Sequence, residues 1–188
     1  LDGGFEGSDG TTAFTDDDGW AMIGIGGQSS DGAKDGNITI SANNVRLNSQ
    51  SAFQQGDFSF AQIGAGGRDA QGSIGATTAE IRIDAQGEIL VRGNESGDGN
   101  RAYGMIGHGG NNAGIAGNTV DGLINLTTQT GNIEVMGGTS GTLESFGQIG
   151  FGGRDSDFDS LTGSITIDAG QGGVSGGVNV ITGGATNA

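Results

Sequence analysis

An octapeptide that returns four times constrains the fold of this chain more than any other feature. It reads aromatic, small, Met or Gln, Ile-Gly, variable, Gly-Gly, and it occupies residues 20–27, 60–67, 103–110 and 146–153. Its isoleucines, which are Ile23, Ile63, Ile106 and Ile149, are separated by 40, 43 and 43 residues. A fixed period of roughly 20–50 residues is the signature of a repeat architecture, in which each unit stacks on its neighbours.

Each repeat carries two further short strand signals after the octapeptide. The first lies at residues 38–40, 81–83, 124–126 and 165–167, and the second at 45–47, 89–91, 133–135 and 178–180. Most of these segments alternate apolar, polar, apolar, which is typical of half-buried strands. Strands this short bury their apolar faces only when repeats stack at ~4.8 Å. The sequence therefore predicts an all-β chain folded as a parallel β-helix, or β-solenoid, with about four coils of 40–45 residues and three short strands each.

The repeats fill the chain as a single block over residues 1–188, with octapeptides starting near 20, 60, 103 and 146. Residues 1–19 are either a lead-in segment or the end of a preceding coil. Leu1-Asp2-Gly3-Gly4 resembles Val135-Met136-Gly137-Gly138 and Ile181-Thr182-Gly183-Gly184, which both follow or close a third strand. We therefore expect the last coil to be continued by further repeats or by a second copy stacked head to tail. The alternative is that residues 1–19 fold back as a cap on a monomer.

Composition narrows the class of protein further. The chain has 43 Gly, no Pro and no Cys. Disordered chains tend to be rich in Pro, and these glycines keep register with the octapeptide, so we expect an ordered fold with many tight turns. The net charge of −15 repels nucleic acid and anionic membranes. No segment approaches the ~20 apolar residues that cross a bilayer, so membrane insertion is not expected.

The octapeptide Tyr103–Gly110, together with Gly-x-Ile-x-Val strands, resembles repeats of very large bacterial surface proteins. These are the filamentous-haemagglutinin-like and autotransporter-like β-helix adhesins, and the resemblance covers about Trp20 to Gly184. It implies a secreted, right-handed β-helix that serves as a stalk, fibre or adhesive surface outside the cell. Cell-surface glycans or another cell are the partners that such a role implies. The resemblance carries no catalytic residue.

Three carboxylates at alternate positions form the one candidate metal site. Asp155, Asp157 and Asp159 follow the last octapeptide, and D-x-D-x-D loops supply several of the six to eight oxygens that calcium takes. The loop lacks the glycine and the distal Glu of an EF-hand, so an ordinary acidic loop is the alternative. Calcium is the only cofactor that the sequence suggests, and a calcium-dependent binding module is one of the functions left open.

His108 is the only histidine and occupies the variable position of the third octapeptide. The equivalent positions hold Ile25, Ala65 and Phe151, so we interpret His108 as a variable ladder residue rather than a catalytic group or metal ligand. The third octapeptide residue alternates as Met22, Gln62, Met105 and Gln148. The alternation indicates either a duplication unit of two coils or sequence drift.

A catalytic site finds little support in the sequence. Arg82 and Asp84 flank Ile83, and Arg92 follows a short distance along the chain. β-helical polysaccharide lyases and hydrolases need such acidic and basic groups clustered on one exposed face. Neighbouring repeats do not match these residues, so we predict that the chain is not an enzyme, with a carbohydrate-active enzyme as the runner-up.

Overall fold

The computed structural model of the chain describes residues 2–3, 20–49, 59–75, 79–93, 102–138, 145–173 and 175–181. These residues form strands and turns and contain no helix, which confirms the predicted all-β class. The strands are β1 Asp2–Gly3, β2 Trp20–Gly26, β3 Ile38–Ala42, β4 Val45–Ser49, β5 Phe60–Gly66, β6 Glu80–Ala85, β7 Ile89–Arg92, β8 Tyr103–Gly109, β9 Thr119–Thr128, β10 Ile133–Met136, β11 Phe146–Gly152, β12 Ser160–Ala169 and β13 Val178–Ile181.

The strands assemble into three parallel sheets, and each repeat gives one strand to each sheet. The octapeptide sheet has the order β11-β8-β5-β2, the second sheet β12-β9-β6-β3, and the third sheet β1-β4-β7-β10-β13. Neighbours within a sheet are always equivalent strands of consecutive repeats. This topology is consistent with a β-solenoid, and all three strand signals of every repeat lie in strands.

Equivalent residues of the repeats stack in columns, and several of the apolar columns meet in the main core. Ile23, Ile63, Ile106 and Ile149 are paired in register across the octapeptide sheet. Ile63 and Ile106 are buried together with apolar residues of the other two sheets, among them Ile81 and Ile89. The octapeptide isoleucine is therefore an inward-facing residue, as the spacing predicts.

A column of glycine follows the isoleucine column for a steric reason. Gly64 has φ +151°, and a Cβ placed on it would lie 1.8 Å from the carbonyl oxygen of Gly107 in the next repeat. Such a distance is far inside van der Waals contact, so any side chain at this position would push the two strands apart. The Ile-Gly pair of the octapeptide thus combines a buried side chain with a close backbone approach.

The aromatic residues that open the octapeptides form a ladder of parallel rings. Trp20, Phe60, Tyr103 and Phe146 follow one another at centroid distances of 5.7, 5.1 and 5.2 Å, with interplanar angles of 8° or less. Phe60 and Tyr103 are buried and form a small cluster with Met105, separate from the main core. Both faces of β5 and β8 are consequently buried.

The pairing of the short strand β1 shows which position of the repeat Asp2 and Gly3 occupy. Asp2 pairs with Asn48 of β4, which places it in the same column as Met136 and Ile181. The alignment of Asp2 with Met136 is therefore confirmed. Its alignment with Thr182 is wrong by one residue, because Ile181 occupies that column. Residues 4–19 and 182–188 lie outside the described residues.

Candidate functional site

The two ends of the described stack expose apolar columns that its middle buries, except in β4, where Val45 and Leu47 are buried. We call β2, β3 and β4 the first-repeat end, and β11, β12 and β13 the last-repeat end. Ile23 at the first-repeat end is 44% exposed, whereas its counterpart Ile63 is 1% exposed. Other exposed apolar residues of these strands are Trp20 and Ile25 at the first-repeat end, and Leu161, Ile165, Ile167, Val178, Val180 and Ile181 at the last-repeat end.

Backbone donors also point along the stack from each repeat to the next. The amides of Gly27, Gly67 and Gly110 donate to the carbonyls of Gly66, Gly109 and Gly152 at 2.8, 2.7 and 2.6 Å. In the third sheet the amides of Val45, Ile89 and Ile133 donate to Glu88, Asn132 and Gly177 in the same way. Gly153 and Val178 hold these positions in the last repeat, and the described residues include no strand beyond them.

His108 is fully buried, and both ring nitrogens bond to the backbone of other strands or loops. The Ala65 amide donates to Nδ1 at 3.1 Å, and Nε2 lies 3.1 Å from the Ala79 carbonyl. This pair of bonds requires the neutral ring with its proton on Nε2. Burial lowers the pKa of His108, and the bond to Ala79 opposes that shift. His108 occupies its expected ladder column and stacks on Phe151, but the sequence did not predict its hydrogen bonds.

Gln62 complements His108 where the backbone ladder between β5 and β8 is interrupted. The pairing of these strands skips Gly64 with Gly107 and Ala65 with His108, although both neighbouring strand pairs run without a gap. Gln62 Nε2 donates to the carbonyls of Gly107 and Gly109 at 3.1 and 3.2 Å. The two side chains therefore replace backbone hydrogen bonds inside the stack. Gln62 and His108 stand in adjacent octapeptides, a signal for these hydrogen bonds that the sequence analysis did not use.

Asp155 lies in a tight turn that recurs after every octapeptide. The second turn residues, which are Ser29, Asp69, Asn112 and Asp155, all have φ between 51° and 53°. Asp and Asn tolerate this left-handed conformation better than most residues. Asp155 Oδ2 is also 3.0 Å from Arg154 Nη2. The turn and the ion pair account for Asp155 without a bound metal.

Asp157 and Asp159 follow this turn with exposed side chains, and their amides bond to the preceding repeat. The Asp157 amide donates to Ala113, and the Asp159 amide to Asn118. Within the described residues no group of three or more His, Cys, Asp or Glu side chains is arranged to hold a metal ion. Calcium binding by Asp155, Asp157 and Asp159 stays a prediction. A melting temperature that does not change with millimolar calcium would contradict it, because a ligand of the native state stabilises that state.

The residues considered for polysaccharide chemistry lie on two different sheets. Arg82 and Asp84 form an exposed ion pair on the second sheet, with Nε 2.9 Å from Oδ2. Arg92 belongs to β7 of the third sheet, where its Nη2 lies 3.5 Å from the sulfur of Met136. The Arg82 and Asp84 side chains thus engage each other across the outer surface of one strand.

A buried lysine joins the first two repeats and was not predicted. Lys34 is 3% exposed, and its Nζ donates to the carbonyls of Ser30, Gly32 and Gln71 at 3.2, 2.9 and 2.5 Å. Burial lowers the pKa of Lys34, and the nearby Asp31 opposes that shift. Three backbone carbonyls thereby satisfy the ammonium at the start of the stack.

Comparison with known proteins gives no relative for this chain. No protein-family model matches it, and neither a curated protein nor a solved structure matches it. None of the described residues belongs to a helix long and apolar enough to span a membrane. The most distinctive surfaces of the described residues are the exposed apolar strands at the two ends of the stack.

Proposed function

We propose that this chain is a structural or adhesive segment of an extracellular bacterial surface protein or filament. In this proposal it is a right-handed parallel β-solenoid of about four coils, and residues 1–188 form one block. The observation that carries the proposal is that equivalent residues stack column upon column through every repeat. A rod needs this regularity, and the resemblance to bacterial adhesin repeats supports the extracellular setting.

The length of the stack favours a role as part of a longer rod. Each sheet contains four equivalent strands from the four repeats, apart from the short β1. At ~4.8 Å between strands, four strands span only roughly 20 Å. In this proposal, further repeats or further copies continue the stack end to end.

An enzyme is the weaker proposal because the exposed polar groups do not converge in the described part of the chain. The column of Arg82 contains Thr39, Asn125 and Thr166 in the other repeats. Catalysis would require positioned acid, base or nucleophile groups around one site. His108 is the only histidine, and its ring is buried and bonded on both sides.

Immunogold electron microscopy of intact cells that make this protein tests the proposal. Antibody raised against the chain should label the cell surface or shed filaments, and antibody pre-adsorbed with the chain should not. Label that appears only in sectioned cells, inside the cytoplasm, would overturn the extracellular role. Turnover of an acidic polysaccharide by the purified chain would instead favour the enzyme.

A further inference from the structure

We propose that Asp31 isomerises spontaneously to isoaspartate and that this modification releases the buried Lys34 ammonium. The Gly32 nitrogen attacks Cγ of the protonated Asp31 carboxyl group, a C–N bond forms, and the carboxyl hydroxyl leaves as water with the former amide proton. Water then adds to either carbonyl of the cyclic imide, which yields aspartate or isoaspartate without an oxidant or other co-reactant. The inference goes beyond the proposed function and does not depend on it.

Asp31 lies in an exposed turn between β2 and β3, and Gly32 beside it is exposed too. Lys34 is bridged to Ile74, so the counterpart of Asp31 in the second repeat is Gln71. Gln71 is exposed although the second repeat has neighbouring strands on both sides. Exposure is therefore a property of this turn in the repeat and does not result from the position of Asp31 in the first repeat.

The peptide unit that must rotate joins Asp31 to Gly32, and within the described part of the chain it makes no hydrogen bond. The Lys34 ammonium binds the carbonyls of Ser30 and Gly32, which belong to the units on either side. In the second repeat the equivalent amide, that of Gly72, donates to an asparagine side chain at 2.8 Å. The Gly32 nitrogen can therefore turn toward Cγ of Asp31 without breaking a described hydrogen bond, whereas a bonded amide would first have to open.

The other described Asp-Gly pairs, at residues 2–3, 35–36 and 121–122, are held more firmly. The first and the last of them lie in β1 and β9. Residues 35–36 directly follow Lys34, whose main chain is bridged to the second repeat. Strand and bridge restrain the rotation that forms the imide, so Asp31 is the preferred site among these pairs.

Isoaspartate would disturb the Lys34 site because it lengthens the main chain inside that site. The Asp31 Cβ enters the backbone between the Ser30 and Gly32 carbonyls and adds one C–C bond of about 1.5 Å. Those two carbonyls accept from Lys34 Nζ at 3.2 and 2.9 Å, and the third acceptor, Gln71, belongs to the second repeat. The ammonium cannot keep all three acceptors, and burial of a charge that loses hydrogen bonds is unfavourable. Lys34 should consequently become accessible to solvent.

Two asparagine variants test the site, because asparagine followed by glycine forms the same imide with loss of ammonia. Asp31→Asn places this pair in the turn, and Asp121→Asn places it in β9. Both variants are checked for native β-structure by circular dichroism and then incubated in the folded state. Mass spectrometry should show faster deamidation at residue 31, by about tenfold or more, since the strand has to open first. Equal rates, or faster deamidation at residue 121, would overturn the preferred site.

Isoaspartate in the wild-type chain is located by electron-transfer fragmentation after prolonged incubation at neutral pH. A synthetic peptide of residues 28–35 provides the reference for the unrestrained reaction. Isoaspartate should accumulate at Asp31 of the folded chain. A folded chain that forms none there while the peptide converts would also overturn the proposal.

Acetylation of Lys34 tests the release, because Lys34 is the only lysine of the chain. The freshly prepared chain should resist an amine-reactive acetylating reagent at Lys34, which is 3% exposed. After incubation, molecules with isoaspartate at residue 31 should be acetylated faster. Asp31→Glu is the matched control, since it keeps the charge but does not readily form the imide. Lys34 of this variant should stay protected after the same incubation.

Equal protection of Lys34 in fresh and isoaspartate-containing molecules would contradict the release. An equal rise of acetylation in the incubated Asp31→Glu variant would also contradict it, because the cause would then be another change in the chain. Cell-surface labelling is unaffected by either result, so the proposed function is tested separately.

Discussion

At the scale of single residues, glycine sets how closely the repeats approach. The carbonyl of Gly107 occupies the space where a Cβ of Gly64 would lie, and φ at Gly64 is unfavourable for any other residue. Relief would require the β5 and β8 backbones to separate. Since several core columns pass through these strands, that separation cannot stay local.

We predict that Gly64→Ala prevents the chain from folding. The matched control is Gly117→Ala, because Gly117 also has positive φ but has nothing within 4 Å of an added Cβ. The control variant should lose only the free energy of its unfavourable backbone conformation, about 1–3 kcal/mol of folding stability. Urea unfolding monitored by circular dichroism measures both variants. Equal stability of the two would show that the steric argument is wrong.

The buried ring of His108 predicts a specific dependence of stability on pH. Its folded pKa is lowered from 6.5, so the unfolded chain takes up the proton first as the pH falls. The stabilisation by the neutral ring is therefore complete above pH 6.5 and decreases as the pH falls below that value. Protonation would also remove the acceptor that Nδ1 offers to the Ala65 amide.

His108→Ala should be less stable than the wild type by about 1–3 kcal/mol at pH 8, since it removes the acceptor of the buried Ala65 amide. The Ala79 carbonyl loses one donor but still accepts from the Leu123 amide. The difference should shrink at pH 5. Urea unfolding at both pH values measures it, and titration of the carboxylates largely cancels because both proteins contain them. A stability difference that is the same at pH 8 and pH 5 would contradict the prediction.

At the scale of elements, the aromatic ladder ties the octapeptide strands together on the face opposite the isoleucines. Phe60 lies between two rings and is 1% exposed, whereas Trp20 stacks on one ring among the described residues and is 47% exposed. The same column thus contains an interior and a terminal member. Their stabilisation should differ because burial and the number of stacked neighbours both differ.

We predict that Phe60→Ala destabilises the chain by about 3–5 kcal/mol, the usual cost of removing a buried aromatic side chain. Trp20→Ala should cost clearly less, although tryptophan is the larger residue. Thermal or urea unfolding of the purified variants compares them. A Trp20→Ala variant at least as destabilised as Phe60→Ala would mean that the first-repeat end is already covered.

At the scale of the whole molecule, exposed apolar surface and net charge have opposite effects on association between molecules. The apolar ends favour stacking of copies, while a net charge of −15 makes the copies repel one another. Salt reduces this repulsion, because the Debye length falls from about 30 Å at 0.01 M to about 10 Å at 0.1 M. Any association between molecules is therefore expected to be stronger at physiological salt than at low salt.

The stacked architecture also makes the molecule's stability depend on its neighbours. Among the described strands, each inner repeat packs on the one before and the one after it, whereas the last repeat packs on one neighbour and the first on one neighbour and the short β1. The exposed columns at both ends are the structural expression of this deficit.

The sequence alone determined the period, the positions of the strands and the composition of the columns. The reason is physical: stacked repeats bring equivalent residues together, so a residue's neighbours are given by its position in the period. The sequence period alone assigns Ile23, Ile63, Ile106 and Ile149 to one column, and the strand pairing confirms it. The recurring Gly-Gly marked the turns in the same way.

Only the tertiary structure decided what happens where the repeats differ. Lys34 donates hydrogen bonds to three carbonyls. Gln62 and His108 replace backbone hydrogen bonds between β5 and β8. The period identifies which residues share a column, but hydrogen bonds of this kind depend on side-chain direction and on small changes in backbone register. Those details follow from the packing of the assembled stack, since partners such as Gln62 and Gly107 lie in different repeats.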